Sequence, residues 1–367
     1  MHAKIHKLKG ICMRGIRKDQ ITFTRFIAAI AIVIFHYGRE VFPFNVEPVA
    51  FYLGNANLGV SYFFTLSGFI MILAYANSSK VDIAEYYRSR FARIAPAYYL
   101  ALILIMLPIL LTGGGYDLKG LVLNAALLQA WVPAKALSIN TPGWSLSTEL
   151  FFYLLFPFLF NSIYKVRNFW LVAAGGVLFF SLSQMSHNYL LSLPLYKGYP
   201  SASHNFIYYF PIMHLNEFIM GNMAGLFYIK FMSHTRRANG LWIVLSVVAL
   251  LYLMRNPTGL SLQNGLLAIA FIPMILLICS DNGLFSRVMT LKPLVYLGEI
   301  SFGIYILQMP IQILTDLLFK RVGLLDPSLS FFGYLIILMV FSALSFEYIE
   351  SPLRKRINGI QPSSMAN

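Results

Sequence analysis

Residues 24–37 read TRFIAAIAIVIFHY, a helix-length apolar run that holds two ionisable side chains, Arg25 near its start and His36 near its end. Eleven residues at 3.6 per turn make about three turns, so the two fall on nearly the same helix face, roughly 16 Å apart along the axis. Between them, FIAAIAIVIF carries no polar side-chain atom. A bilayer core is about 30 Å thick, so if Arg25 marks the basic end of a span, His36 lies past the midplane. A titratable imidazole at that depth is a functional candidate.

The rest of the chain agrees with a membrane setting. Of 367 residues, 58% are hydrophobic and only 11% charged, whereas soluble domains carry about a quarter charged residues. The 31 Phe and 22 Tyr suit helices that face lipid, the expected partner of most of the surface. A net charge of +14 would suggest nucleic acid in a soluble domain, but here basic turns on one side of a bilayer account for it, and no nucleic acid is expected. The two cysteines, Cys12 and Cys279, have no metal-ligand spacing and imply neither a disulfide framework nor a metal site. The basic start followed by an apolar run resembles a signal peptide. Arg25 and His36 interrupt that run, however, and no clear small-residue cleavage site precedes the polar stretch 39–47.

Working outward, apolar runs bounded by basic residues predict spans at 24–37, 58–76, 94–111, from Trp144 to about 164, 169–187, 207–231, 241–254, 262–279, 295–318 and 329–348. Residues 118–131 are apolar but short, and Pro133 and Pro142 bracket the polar stretch after them, which predicts a re-entrant or surface segment. Lys and Arg gather in the tail before residue 24 and in alternate turns, which puts those turns in the cytoplasm. The expected fold is all-α: a polytopic membrane bundle of about ten transmembrane helices with both termini cytoplasmic, in a bacterial inner membrane. It forms one domain over 1–358, with 1–23 a basic cytoplasmic tail and 359–367 a disordered tail.

Several polar residues in or beside these spans carry chemistry, each with a plainer alternative. His36 can act as general base or acid, or tie the bundle together by a hydrogen bond. Arg25 alone would be a snorkelling end residue; on the same face as His36 it supplies a cation in register with a base. Arg90 and Arg93, at i and i+3 in RSRFARIAPAYYL, can present two guanidinium groups to a phosphate, or serve only topology. Glu149, in GWSLSTELFFYLLFP, can orient His36 or an acceptor hydroxyl, or simply favour a helix N-terminus. Trp144 and Ser147 precede it and are candidate substrate contacts. Ser67 and Gly68 suggest close helix packing. His214 and Glu217, at i and i+3, suggest a hydrogen bond within the bundle. Glu299, Glu347 and Glu350 lie near cytoplasmic ends and are expected to pair with arginines.

Taken together, six segments resemble acyltransferase family 3, the multispan bacterial enzymes that acylate cell-surface carbohydrates. They are RFIAAIAIVIFHY, GVSYFFTLSGFIM, RSRFARIAPAYYLALIL, GWSLSTELFFYLLFPFLF, YLGEISFGIYILQMPI and FEYIESPLRK, in the family's order over most of the chain. The resemblance implies transfer of an acyl group, usually acetyl from cytoplasmic acetyl-CoA, to a hydroxyl of a glycan or lipid-linked glycan such as an exopolysaccharide or O-antigen. It implies that Arg25 and His36 are the essential first-span pair, that Arg90 and Arg93 form the element associated with the acyl donor, and that Glu149 is the acid of the fourth-span motif. The chain departs at Gln308, where many relatives have histidine, which suggests that position 308 is not essential here. Thr148 and Leu150 also depart from the motif.

The mechanism this suggests has the arginines hold the CoA phosphates, while His36 deprotonates the acceptor hydroxyl or carries the acyl group itself. Two other classes fit a polar midplane: a transporter or flippase of lipid-linked sugars, with His36 as proton carrier, and a non-catalytic scaffold for polysaccharide assembly. Acceptor identity and acetyl versus succinyl transfer are not legible in the residues.

Overall fold

A computed structural model describes residues 19–235, 237–256, 259–323 and 326–359. Most of the expected tails, 1–23 and 359–367, lies outside the described residues. Ten helices of the bundle are numbered in chain order: α1 Asp19–Tyr37, α2 Ala56–Ala74, α3 Ile83–Leu111, α4 Thr141–Tyr164, α5 Phe169–Ser192, α6 Leu215–Phe227, α7 Gly240–Arg255, α8 Ala268–Ser280, α9 Lys292–Arg321 and α10 Pro327–Ile357. Seven of them, α1 to α5 with α9 and α10, are long and apolar enough to cross a membrane. At 16 and 13 residues, α7 and α8 are apolar but shorter.

The helices begin and end where local chemistry dictates. Asp82 caps α3 by accepting from the Glu85 amide at 2.9 Å, and Asp326 caps α10 through Leu329 at 2.7 Å. The early start of α3 matters, because Arg90 and Arg93 then stand on a continuous helix rather than in a turn before residue 94. The sixth predicted span, 207–231, is broken. A short helix, Ala202–Tyr209, stops before Pro211, and a 3₁₀ turn, Pro211–His214, leads into α6. Proline restricts the residue before it and has no N–H to give, so the chain turns there. Residues 118–131 form the short helix Leu118–Ala125 and a 3₁₀ turn, without a long helix, as their length predicts.

Glycines set which helices touch. A β-carbon on Gly68 would overlap the Phe218 carbonyl and one on Gly221 the Thr65 carbonyl, so α2 and α6 meet backbone to backbone. This is the small-residue packing that replaces hydrophobic drive when the solvent is lipid. Gly298 likewise presses against the Thr22 carbonyl and brings α9 onto α1. Phe64, Phe152 and Phe218 fill the space between α2, α4 and α6, with Phe152 stacked on Phe218 at 4.7 Å. These contacts face the polar residues of α1, α2, α4 and α9 toward one interior.

Candidate active site

That interior holds three cavities in a row. At one end of the bundle, a vestibule of about 960 Å³, open mouth included, is lined by Arg25, Arg93, Glu299, Glu350 and Arg354, among others. It shares Arg25, Ile70, Arg93 and Phe302 with a second cavity of about 770 Å³, where Arg90, Ser67, Glu149, Tyr153 and Ser145 join the lining. The second cavity shares Val60 and Tyr305 with a third of about 920 Å³, lined by His36, Ser61, Trp144, His204, Tyr208, Tyr209 and His214, with Asn57, Thr141 and Gln263. Arg25 and His36 therefore serve opposite ends of one interior, as their spacing along α1 predicts.

The arginine cavity is short of counter-charge. Among the described residues, no ion pair joins Arg25, Arg90 or Arg93 to a carboxylate. Arg90 lies 5.8 Å from the ring centres of both Tyr86 and Tyr153, and its other contacts are the Met71 sulfur at 3.6 Å and Ser89 at 3.2 Å. Its Nε is buried without a hydrogen-bond partner among the described residues. A buried cationic donor left unsatisfied is costly, so this arrangement suits an anion that arrives with acceptor oxygens. Glu149 sits in the same cavity, where it accepts from Ser67 Oγ at 3.2 Å and from the Tyr153 hydroxyl. Its two donors are on α2 and α4, so Glu149 organises the arginine cavity.

His36 has a different partner from the one expected. Its Nδ1 lies 2.8 Å from Gln308 Oε1, while Gln308 Nε2 donates to the Tyr305 carbonyl at 2.6 Å. That second bond fixes the amide: turned over, its oxygen would face another oxygen. Gln308 Oε1 must therefore accept from Nδ1–H, which leaves Nε2 of His36 as the ring's free lone pair. His36 is exposed, and it lines the third cavity. Position 308, which the sequence comparison with the family suggested was dispensable, is thus in direct contact with the candidate base, and Glu149 is not its hydrogen-bond partner.

Other expectations sort in the same way. Trp144 lines the His36 cavity, 4.9 Å from Tyr209 and 5.2 Å from the His214 ring. Ser147 is fully buried, lines none of the three cavities, and has no partner for its hydroxyl among the described residues. Ser145, two residues earlier, faces the arginine cavity instead. His214 and Glu217 are bonded at 3.1 Å, and Ser61 donates to the other Glu217 oxygen at 2.6 Å, so the pair does tie α2 to α6. It also places Ser61 and His214 in the wall of the His36 cavity. His204, on its short helix, also lines this cavity, and burial lowers its pKa.

Sequence reasoning missed Tyr305, Ser145, Tyr153 and Arg354. Tyr305 and Gln308 had the signal that singled out the others, polar residues at i and i+3 in an apolar run, while Arg354 looked like an ordinary topogenic arginine.

Residues 18–347 match the family described as an acyltransferase domain. The chain is 29% identical to acyltransferase MdmB of Streptomyces mycarofaciens over 321 residues, 80% of this chain and 78% of that protein. It is 21% identical to O-acetyltransferase OatA of Staphylococcus aureus over 364 residues, 90% of this chain but only 56% of that protein. No solved structure matches it. The chain belongs to acyltransferase family 3, with the acyltransferase domain over most of its length.

Proposed function

We propose that this protein is a membrane O-acyltransferase that moves an acyl group, acetyl in the first instance, from acyl-CoA to a hydroxyl of a glycan or lipid-linked glycan. The observation that carries the donor half is the set of three arginines in one connected cavity with no carboxylate paired to them among the described residues. Coenzyme A brings phosphates for guanidinium groups at the vestibule and a thioester on a long, slender arm that fits the second cavity. The His36 cavity is the acceptor side. Its aromatic walls, Phe35, Trp144, Tyr208 and Tyr209, and its neutral polar groups suit a sugar ring, whose apolar face stacks while its hydroxyls bond.

Nε2 of His36 takes the proton of the acceptor hydroxyl as that oxygen attacks the thioester carbon. Gln308 keeps the imidazole in the tautomer this requires. The lipid-facing bundle keeps bulk water from the thioester. A flippase or scaffold gives the arginines and the His36 cavity no common task.

The same reading takes all ten helices as spans of a bacterial inner membrane, with the arginine end cytoplasmic. Several contacts support this. Ile21 and Arg354, near the two ends of the described chain, line one vestibule, as an even number of crossings would arrange them. Gln20 donates to the Ile278 and Cys279 carbonyls at 3.3 Å, placing the end of α8 beside the start of α1. Arg255, at the end of α7, reaches Glu47, beyond the far end of α1, at 3.7 Å.

The test is the affinity of purified protein for acetyl-CoA, with Arg90→Gln and Arg93→Gln as variants. Each lost charge-assisted bond weakens binding by about 1.5–3 kcal/mol, roughly ten- to a hundredfold. Wild-type protein that does not bind acetyl-CoA, or variants that bind it equally well, would overturn the donor assignment.

A further inference from the structure

A thioester held from one end and a hydroxyl held from the other react where their cavities meet, and that junction is narrow. Of the described residues that line the arginine cavity, only Val60 and Tyr305 also line the His36 cavity. Val60 has no polar side-chain atom, so among the described residues Tyr305 is the one side chain common to both cavities that carries a hydrogen-bond donor.

That hydroxyl is held in an unusual way. It donates to Ser145 Oγ at 2.8 Å and shares the same proton with the Pro142 carbonyl at 3.2 Å. Ser145 Oγ also donates to that carbonyl, at 3.0 Å. When the tyrosine proton turns elsewhere, the buried carbonyl keeps a donor and Ser145 keeps its own bond, so the move strands no polar group. Several other hydroxyls around the two cavities are committed to single acceptors: Ser67 and Tyr153 to Glu149, Ser61 to Glu217, and Ser301 to the Gly298 carbonyl. The Tyr305 ring is fixed edge-on against Phe63 at 5.8 Å. One turn along α9 from Tyr305, Gln308 binds His36 through Oε1 and the Tyr305 carbonyl through Nε2. The candidate base and this hydroxyl are therefore registered to each other through a single side chain.

We infer that acyl transfer occurs at the Tyr305 junction and that Tyr305 is a catalytic residue, its hydroxyl donating a hydrogen bond to the oxyanion formed from the thioester carbonyl. The inference rests on the acyl-CoA reading above. His36 Nε2 takes the hydroxyl proton as the acceptor oxygen bonds to the carbonyl carbon, and the carbonyl electron pair moves onto its oxygen, where Tyr305 O–H meets it. The pair returns as the carbon–sulfur bond breaks, and the leaving thiolate takes the proton from His36. The products are an O-acyl ester and free CoA thiol. The proton of Tyr305 is never transferred; it stabilises charge that exists only near the transition state, which lowers the barrier without tightening donor binding.

The test is transfer of labelled acetyl from acetyl-CoA into the glycan of native membranes by wild type and Tyr305→Phe, which keeps the ring and its contact with Phe63. The expected result is a fall in kcat of about 10²- to 10³-fold, with KM for acetyl-CoA within about twofold. A kcat within about threefold of wild type would overturn the inference, as would a loss confined to KM. If Tyr305→Phe does not fold, 3-fluorotyrosine at position 305 keeps the shape and hydroxyl but makes it more acidic. A shifted pH–rate profile supports the role, and an unchanged profile and rate overturn it. Wild-type membranes that transfer no acetyl would instead remove the acyl-CoA reading itself, a result distinct from failure at Tyr305 alone.

Discussion

Replacing Gln308 with Met separates the tautomer argument from the fold. The change conserves volume in a fully buried position, where such swaps cost less than about 1.5 kcal/mol in packing. It removes the bond from His36 Nδ1 at 2.8 Å and the bond to the Tyr305 carbonyl at 2.6 Å. One neutral hydrogen bond contributes about 1 kcal/mol, so the imidazole loses that much preference for the tautomer and orientation that leave Nε2 free. The barrier rises by the same amount, which corresponds to about a fivefold fall in kcat. The assay is labelled acetyl transfer in membranes, with expression and thermal stability in detergent matched to wild type. KM for acetyl-CoA stays unchanged, because Gln308 is absent from both arginine-lined cavities. A Gln308→Met enzyme with full kcat would refute the claim that this amide orients the base, and a raised KM with full kcat would place position 308 in substrate binding.

Three further outcomes follow from the same geometry. Ser147→Ala leaves transfer within about twofold of wild type in the membrane assay, since Ser147 lies outside the cavities and its buried hydroxyl has no partner among the described residues to lose. Gly221→Ala forces a methyl group into the Thr65 carbonyl and lowers stability by about 1–3 kcal/mol, read as a lower thermal midpoint in detergent. Burial lowers the His204 pKa below its ordinary 6.5, so the unfolded chain takes up that proton first. The contribution of neutral His204 to stability is fully present above pH 6.5 and is lost as pH falls below it. The decline is shallower in His204→Gln, as denaturation midpoints across pH 5–8 would show.

Much of this arrangement was legible in the residues, and the rest was not for physical reasons. Charges inside apolar runs are rare because they are costly, so Arg25, His36, Arg90, Arg93 and Glu149 stood out from composition alone. Spacing along one helix is also readable, which is why Arg25 and His36 could be assigned to opposite ends of one interior. Partnerships between helices are not. Nothing in the order of residues brings Gln308 to His36 across 272 positions, and nothing gives Glu149 to Ser67 and Tyr153 in place of His36. Those depend on close approaches set by Gly298 and by Gly68 with Gly221. The break before α6 was in view at Pro211, but the apolar residues on both sides favoured one continuous span.

The central claim is that His36 performs chemistry on an acceptor at one end of the bundle while acyl-CoA enters from the other. The most direct measurement is the O-acyl content of isolated surface polysaccharide from cells that carry the intact gene, a deletion, or His36→Ala expressed to the same level. The account predicts acylation with the intact gene and its loss in both the deletion and His36→Ala. Acylation retained with His36→Ala but lost on deletion would contradict it and leave the protein a non-catalytic part of the assembly.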